Sequence, residues 1–155
     1  MLSQNDANGL AARAFALVRA CPRGRVTTYS WLARALGYPR GARMLGWIMS
    51  DTPEGVPAQR VISSKGELTG SHAFGPPGTM RSLLEQEGII FEDDGRVDLK
   101  RYGWDPARDL DAQDLEALLS TASSAHPVVA GEGLVRLLRT DPASPLRAPS
   151  PDASS

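Results

Sequence analysis

The sequence predicts a mainly α-helical domain with short β-hairpins, of the winged helix-turn-helix type. Two short helical segments flank a Gly/Pro-containing turn at residues 37–41, which is the arrangement of a helix-turn-helix. Later in the chain, short β-branched runs precede Gly-containing turns, which is typical of hairpins. With 155 residues, 41% of them hydrophobic, the chain is expected to form one compact domain with a tail.

The first predicted helix begins near Asn5 or Asn8, either of which can act as N-cap, and runs to about Cys21. Pro22 ends it because proline cannot continue a helix. Its apolar residues recur at helical spacing and form one stripe: Leu10, Phe15, Leu17 and Val18.

Thr28 is the predicted N-cap of the next helix, which runs from Tyr29 to Leu36 and stops at Gly37. A second short helix is expected from residue 42 to residue 50. Two such helices often form a DNA-reading unit, but the pattern by itself is common.

Two hairpins and a helix are predicted next. The first hairpin has strands at 60–62 and 67–68, and the second has strands at 89–91 and 96–99. Between them, a helix from Thr79 to Glu87 is expected to take Thr79 as its N-cap, after a flexible loop at 70–78.

The C-terminal part is expected to be an extension and a tail. The domain is predicted to cover residues 9–106, followed by a helical extension at 107–139 with helices at 109–121 and 132–139. Residues 140–155 are rich in Pro, Ala and Ser and are predicted to be disordered.

Charge is distributed unevenly along the chain. Residues 9–60 hold eight basic and two acidic residues (+6), whereas residues 61–155 hold nine basic and fifteen acidic ones (−6). A basic half is typical of a surface that faces a polyanion, because Arg and Lys near phosphates release condensed counterions. Arginines also keep helix faces soluble, so the charge distribution alone is weak evidence for binding to a polyanion.

The composition predicts a cytoplasmic protein without a cofactor. No apolar run is long enough to span a membrane, and residues 1–10 lack the pattern of a signal peptide. One cysteine, Cys21, and two separated histidines cannot form an internal disulfide or a typical zinc site. We expect a monomer with no metal and no membrane association.

Four segments carry a resemblance to a known family: Arg23–Tyr29 (RGRVTTY), Gly41–Gly46 (GARMLG), Pro57–Arg60 (PAQR) and Leu83–Gly88 (LLEQEG). In this order and spacing, the chain resembles the DNA-binding domain of the O6-alkylguanine-DNA alkyltransferases. It is more similar to the alkyltransferase-like proteins, which lack the reactive cysteine of the transferases.

The resemblance implies that alkyl-transfer chemistry is missing. In the transferases, the Cys of a Pro-Cys-His-Arg motif attacks the alkyl carbon, the His takes its proton through water, and a Glu orients the His. The matching positions here are Ala58, Gln59 and Glu87. Alanine has no nucleophilic atom and glutamine does not titrate, so the chain is predicted not to be an enzyme.

The resemblance also implies a DNA-binding helix. Arg43 matches the arginine finger that enters the duplex from the minor groove and takes the place of an extruded base. Small residues at Gly41, Ala42 and Gly46 are expected to let this helix approach a narrow groove. A solvated helix arginine would be the simpler interpretation of Arg43 alone.

Two further DNA contacts are implied beside that helix. Tyr29 matches a tyrosine that crowds the 3′-phosphate of the target nucleotide, although it could be only a half-buried aromatic side chain. Thr28 can cap its helix and also donate to a phosphate, because helix N-termini attract anions.

A lesion pocket is implied between residues 56–60, here called the motif loop, and the flexible loop at 70–78. Its lining residues would be Val56, Pro57, Ala58, Gln59, Arg60, Ser71 and His72. Many alkyltransferase-like proteins have Trp at the Ala58 position, so Ala58 predicts a roomier pocket that tolerates bulkier adducts. His72 could lie over the flipped base or could be a mobile loop residue. Trp47 could flank the groove or pack against the core.

Two functions of different classes follow. The first is a non-enzymatic damage sensor that binds and flips O6-alkylguanine in duplex DNA and marks it for nucleotide excision repair. The alternative is a helix-turn-helix DNA-binding or regulatory module without lesion specificity. The acidic segment 109–116 and its leucines could dock a partner or cover the domain's own core. An enzyme would require Cys21 as acceptor, and its position in a turn is predicted to be remote from residues 57–58.

Overall fold

The computed structural model describes residues 4–125, 127–131 and 134–137. Most of this part of the chain is helical, and a two-stranded sheet completes the fold. The helices are α1 (Gln4–Ala20), α2 (Tyr29–Ala35), α3 (Ala42–Met49), α4 (Thr79–Gln86), α5 (Leu99–Tyr102), α6 (Pro106–Asp109) and α7 (Ala112–Ala125). The strands are β1 (Thr27–Thr28) and β2 (Val61–Ile62), and short 3-10 turns occur at Ala58–Arg60 and Ser71–Phe74.

Helix α1 confirms the first predicted helix. Asp6 lies in its first turn and Arg19 in its last, which is the charge order that the helix dipole favours. Its buried face includes Leu10, Phe15, Leu17 and Val18, and Phe15 is only 1% exposed. The helix is therefore the central support against which α2, α3 and α7 pack.

Helices α2 and α3 confirm the predicted helix-turn-helix. The Thr28 side chain accepts a 3.0 Å hydrogen bond from the backbone N–H of Trp31 and so caps α2. Gly37 follows α2 with a φ of +92°, a conformation that glycine adopts at little cost. Met44, Leu45, Ile48 and Met49 form the buried face of α3.

The β-structure differs from the prediction. Strands β1 and β2 pair in parallel, with Thr27 opposite Val61 and Thr28 opposite Ile62, so β2 joins the helix-turn-helix instead of a local hairpin. The turn after β2 does form, since the Ser63 N–H donates to the carbonyl of Glu67 over 3.0 Å. Across residues 4–125, however, no strand is found at 67–68.

The second predicted hairpin is also wrong in its strands. The turn at 92–96 is present, with a 2.9 Å hydrogen bond from the Glu92 N–H to the Arg96 carbonyl. Asp98 accepts a hydrogen bond from the Lys100 N–H over 3.0 Å and caps α5, so the chain becomes helical where a strand was expected.

Helix α4 begins one residue earlier than a Thr79 cap would require. Gly78 is the N-cap, with a φ of +85°, and Thr79 is the first helical residue. The Thr79 hydroxyl donates to the Pro76 carbonyl over 2.8 Å and so braces the turn outside the helix.

The extension packs against the domain. The predicted helix at 109–121 is divided, because Asp105 caps α6 and Asp111 accepts from the Asp114 N–H at the start of α7. The leucines of α7 (Leu115, Leu118 and Leu119) pack against the main core, so they cover the domain itself. Of the predicted helix at 132–139, residues 134–137 are helical; the remainder, and the tail at 140–155, lie outside the described residues.

The core has two parts. One cluster joins α1, α2, α3 and the C-terminal segment, and the other joins β2, α4, α5 and the segment around Ile89. The two meet near Val61 and Met80. Among the described residues, no helix is long and apolar enough to cross a membrane.

Candidate nucleic-acid interface

A cleft of about 300 Å³ opens between the two core clusters. Its walls combine polar side chains with apolar ones, the latter including Met49, Val56, Phe74 and Met80. The size lies at the lower end of the about 300–1,000 Å³ that is usual for ligand pockets. The cleft therefore has room for one small group.

Helix α3 presents one exposed face beside this cleft. Arg43, Gly46, Trp47 and Ser50 are all exposed, and their spacing places them on one side of the helix. A Cβ built on Gly46 meets nothing within 4 Å, so the face is open at that point. Ser50, directly after α3, lines the cleft. The helix face and the cleft are thus continuous.

Two predicted DNA contacts are buried instead. Thr28 is 0% exposed, and its hydroxyl accepts the α2 capping bond, so it does not offer a phosphate donor at the surface. Gly41 is also buried, and a Cβ there would lie 3.0 Å from the Tyr38 carbonyl oxygen. Gly41 therefore permits the close turn between α2 and α3, and Ala42 is half-buried at the start of α3.

Tyr29 lines the cleft from the start of α2. Burial raises the pKa of Tyr29 above its ordinary value, and a hydrogen bond with the Thr69 side chain acts in the opposite direction. A Cβ at Gly70 would lie 2.9 Å from the Tyr29 hydroxyl oxygen, so a larger residue there would displace the end of the Tyr29 side chain. The tyrosine thereby connects the helix-turn-helix to the loop at 70–78.

Behind the cleft wall, Glu87 joins the motif loop to the rest of the domain. Its side chain is 4% exposed. One carboxylate oxygen accepts from Arg60 Nε over 2.9 Å and from the Gly24 N–H over 3.2 Å. The other accepts from Gln59 Nε2 over 2.8 Å and from the second Arg60 nitrogen over 3.2 Å. Both carboxylate oxygens are fully engaged.

These contacts set the charge of Glu87. Burial alone would raise its pKa, but the hydrogen bonds from Arg60, Gln59 and Gly24 together hold the pKa of Glu87 below its ordinary value. The carboxylate thus stays ionised and balances Arg60. Gln59 donates to it through an amide that cannot act as a proton acceptor at neutral pH.

The predicted pocket residues divide into two groups. Val56 and Ala58 line the cleft, whereas Gln59 and Arg60 lie behind its wall in the Glu87 network. Pro57 precedes the 3-10 turn at Ala58–Arg60, where it fixes the turn's start.

The loop residues are separated in the same way. His72 lines the cleft, together with Ala73 and Phe74. Ser71 lines a neighbouring cleft with Arg81 and Arg96, and within the described part of the chain it is not a wall residue of the first cleft. The 3-10 turn at Ser71–Phe74 directs the two adjacent side chains to different sides.

Cys21 lies closer to the motif loop than predicted, yet its thiol is shielded. Its carbonyl accepts a 2.8 Å hydrogen bond from Arg60, while the residue is 1% exposed. Burial raises the pKa of the Cys21 thiol to about 12. A thiol of this kind is protonated at neutral pH and is a poor nucleophile.

Trp47 is partly exposed and also packs against the core, and its place beside a DNA groove stays a prediction. It is 41% exposed on the α3 face, and it also borders a small cavity with Phe15, Ile48 and Leu134. Among the described residues, no group of three or more His, Cys, Asp or Glu side chains could hold a metal ion.

Several cleft residues escaped the sequence analysis, namely Met49, Ser50, Glu54, Phe74 and Met80. The segment at 52–55 directly precedes the motif loop, and this proximity in sequence could have indicated that Glu54 lines the cleft. Met80 carried no such signal, because an apolar residue of an amphipathic helix indicates only a core position.

Fold and cleft together define a helix-turn-helix protein of the alkyltransferase type. Residues 10–89 match the family model described as 6-O-methylguanine DNA methyltransferase, DNA binding domain, and the chain belongs to this family. Within it, the chain is an alkyltransferase-like protein by its similarity to the following relatives.

The DNA base-flipping protein of Escherichia coli (strain K12) is 37% identical over 95 residues, covering 59% of this chain and 71% of that protein. Alkyltransferase-like protein 1 of Schizosaccharomyces pombe is 34% identical over 91 residues, covering 55% of this chain and 84% of that protein. The crystal structure of the S. pombe protein in complex with damaged DNA containing O6-carboxymethylguanine superposes with a TM-score of 0.56 at 28% identity. That match covers 68% of this chain and all of the other.

Proposed function

We propose that this protein is a non-enzymatic sensor of alkylated DNA. It binds duplex DNA, turns an O6-alkylguanine out of the stack into the cleft between the two core clusters, and holds it there without removing the alkyl group. The supporting observation is the continuity of the exposed α3 face with a cleft whose wall contains Ala58.

The α3 face supplies the means of extrusion. Arg43 is exposed near the start of α3, and one turn later Gly46 leaves space for a backbone or sugar to approach. Extruding a base costs a few kcal/mol of stacking and pairing energy, and an inserted side chain prevents the base from returning. Arg43 takes this role in the proposal, and Tyr29 contacts the backbone beside the extruded nucleotide.

The residues of the cleft wall support binding of the alkylated base without transfer of its alkyl group. Ala58 has no nucleophilic atom. Gln59 stands at the position of the proton-accepting histidine of the transferases, and its amide is hydrogen-bonded to Glu87. The thiol of Cys21, whose carbonyl accepts a hydrogen bond from Arg60, is buried and protonated. The Glu87 network therefore fixes the wall in place and activates nothing.

Because the lesion survives binding, another activity must remove it. We propose nucleotide excision repair as that activity, acting on the complex of a monomeric sensor with the damaged duplex. In cells, loss of this protein and loss of excision repair should then sensitise to alkylation without additive effect. Additive sensitivity would contradict the handover.

The absence of transfer is tested by mass. After incubation with a duplex that carries one O6-methylguanine, intact-mass measurement should show the protein unchanged, and nuclease digestion should return all of the modified base. A variant that restores the transferase motif, Ala58→Cys with Gln59→His, serves as the sensitive control for alkylation of the protein. A mass gain of one methyl group on the unaltered chain would refute the proposal.

The alternative function is a DNA-binding module without lesion specificity. It would be indicated by selection of a particular unmodified sequence from random duplexes, together with equal affinity for damaged and undamaged copies of that sequence.

A further inference from the structure

The charge of the cleft bears on which adducts it accepts. Fifteen described residues line it, and none of them is Lys or Arg. The fixed charge in this set is the carboxylate of Glu54, in the segment between α3 and the motif loop. Met49, Val56, Val61, Phe74 and Met80 supply an apolar part of the wall.

Arg60, which lies behind the wall, does not compensate for this charge. Arg60 uses two guanidinium nitrogens on Glu87, at 2.9 and 3.2 Å, and the third on the Cys21 carbonyl, at 2.8 Å. Its side chain is 14% exposed, and its ion pair with Glu87 is electrically balanced. The other titratable side chains of the wall are those of Tyr29 and His72, so an anion in the cleft would meet Glu54 without a Lys or Arg beside it.

We infer that the cleft selects for uncharged O6-adducts and rejects anionic ones, with Glu54 as the determinant. The inference rests on the proposed function and names the class of lesion for that same cleft. An uncharged alkyl group gains from burial against the apolar wall. A carboxylate would lose hydration and be repelled by a like charge in a medium less polar than water.

The effect of the adduct's charge on binding can be separated from that of its size by comparing two adducts of nearly the same shape. O6-carboxymethylguanine, the lesion in the DNA bound to the S. pombe relative, carries a carboxylate. O6-carbamoylmethylguanine replaces that carboxylate with an uncharged amide. Dissociation constants for both are measured in one duplex sequence at one salt concentration and at pH 8, where an imidazole is largely uncharged. The same duplex with O6-methylguanine and with guanine completes the set.

The carbamoylmethyl duplex is expected to bind about tenfold more tightly than the carboxymethyl duplex, which corresponds to about 1.4 kcal/mol. Glu54→Gln should reduce this ratio to about threefold or less by strengthening binding of the carboxymethyl duplex. Because Glu54 is exposed, the variant should fold normally.

Glu67→Gln is the matched control. It removes the same charge from an exposed residue that lines the neighbouring cleft. Its ratio of carboxymethyl to carbamoylmethyl affinity should equal that of the unaltered protein.

The outcomes separate this inference from the proposed function. If O6-methylguanine is preferred over guanine while the two larger adducts bind equally, the charge selection is refuted and the sensor function stands. A tenfold ratio that persists in Glu54→Gln would also refute it, because the determinant would lie elsewhere. Equal binding of the O6-methylguanine and guanine duplexes would refute the proposed function itself.

Discussion

Glu87 is a single residue that joins separate segments of the chain. It holds the motif loop through Gln59 and Arg60 and the segment after α1 through the Gly24 N–H. With its side chain only 4% exposed, it makes a buried ion pair with Arg60, which is 14% exposed. The carboxylate that would orient a catalytic histidine in a transferase is thus a structural group in this protein.

Replacing Glu87 should therefore destabilise the fold. Glu87→Gln leaves the buried Arg60 guanidinium without its counter-charge, and the expected loss is about 3 kcal/mol in the free energy of unfolding. Urea denaturation at pH 7 measures it. The control is Glu85→Gln, whose partner Arg81 is exposed and whose loss should stay below about 0.5 kcal/mol. Equal losses in both variants would contradict the role of Glu87.

Acid should remove the same contribution. The pKa of Glu87 is lower in the folded protein than its ordinary value of 4.5. Its stabilisation is then fully present above pH 4.5 and is lost as the pH falls from there through the lowered pKa. Measured from neutral pH into acid, the unfolding free energy should decrease less steeply in Glu87→Gln than in the unaltered protein. Parallel curves would show that other carboxylates dominate.

At the scale of elements, α2 and α3 follow from local sequence signals. Thr28 as N-cap and Gly37 as stop defined α2 within a residue or two, because both act on backbone groups that lie within one turn. The hairpins were not predictable in this way. Strand β2 pairs with β1, which is more than thirty residues away, and its partner depends on how α1 to α3 pack rather than on its own residues.

The cap of α2 gives a direct test. Thr28→Ala removes the acceptor of the Trp31 N–H and should cost about 1 kcal/mol of stability, whereas Thr28→Ser should retain most of it. Thr79→Ala is the matched control, because the Thr79 hydroxyl donates to Pro76 outside its helix. Thermal unfolding of the three variants decides the matter, and a larger effect at Thr79 than at Thr28 would contradict the assignment.

Substitutions at Gly46, on the open face of α3, are expected to affect the stability of the fold and the binding of DNA in different ways. Gly46→Ala should raise the free energy of unfolding by up to about 1 kcal/mol, because alanine favours a helix and its Cβ meets nothing. Gly9→Ala, inside α1 and with only ordinary contacts for its Cβ, should do the same. Gly46→Leu should weaken DNA binding about tenfold if α3 approaches a groove. Unchanged affinity in Gly46→Leu would place the DNA elsewhere.

For the whole molecule, the C-terminal segment is part of the core although the family match ends at residue 89. The Ala130 N–H donates to Asn8 of α1 over 2.7 Å, and Leu134 is 3% exposed. The predicted domain limit at residue 106 remains a prediction, and the packing of α7 on α1 indicates that the fold depends on residues beyond it.

Leu134→Ala tests this dependence. Removing a buried leucine should cost about 3 kcal/mol in the free energy of unfolding. Val129→Ala, at a residue 80% exposed in the same segment, should cost close to nothing. DNA affinity measured well below both melting temperatures should be unchanged in both variants. A neutral Leu134→Ala would show that the segment is dispensable for the fold.

The cleft could be predicted only in part, for a reason that belongs to the whole molecule. Val56, Ala58 and His72 were found because they lie in or beside segments with a recognisable pattern. Met49, Phe74 and Met80 come from three different elements and meet only when the two core clusters close against each other. Burial likewise assigned Thr28 and Gly41 to the fold, although their residue types suit a DNA contact.

Recognition of the lesion is measured by one binding titration at fixed salt, comparing a duplex that contains a single O6-methylguanine with the same duplex containing guanine. We expect at least tenfold tighter binding to the damaged duplex, about 1.4 kcal/mol, and loss of that preference in Arg43→Ala. Arg40→Ala removes an exposed arginine from the turn before α3 and should weaken binding to both duplexes equally. Equal affinity of the unaltered protein for the two duplexes would contradict the account and leave a DNA-binding module without lesion specificity.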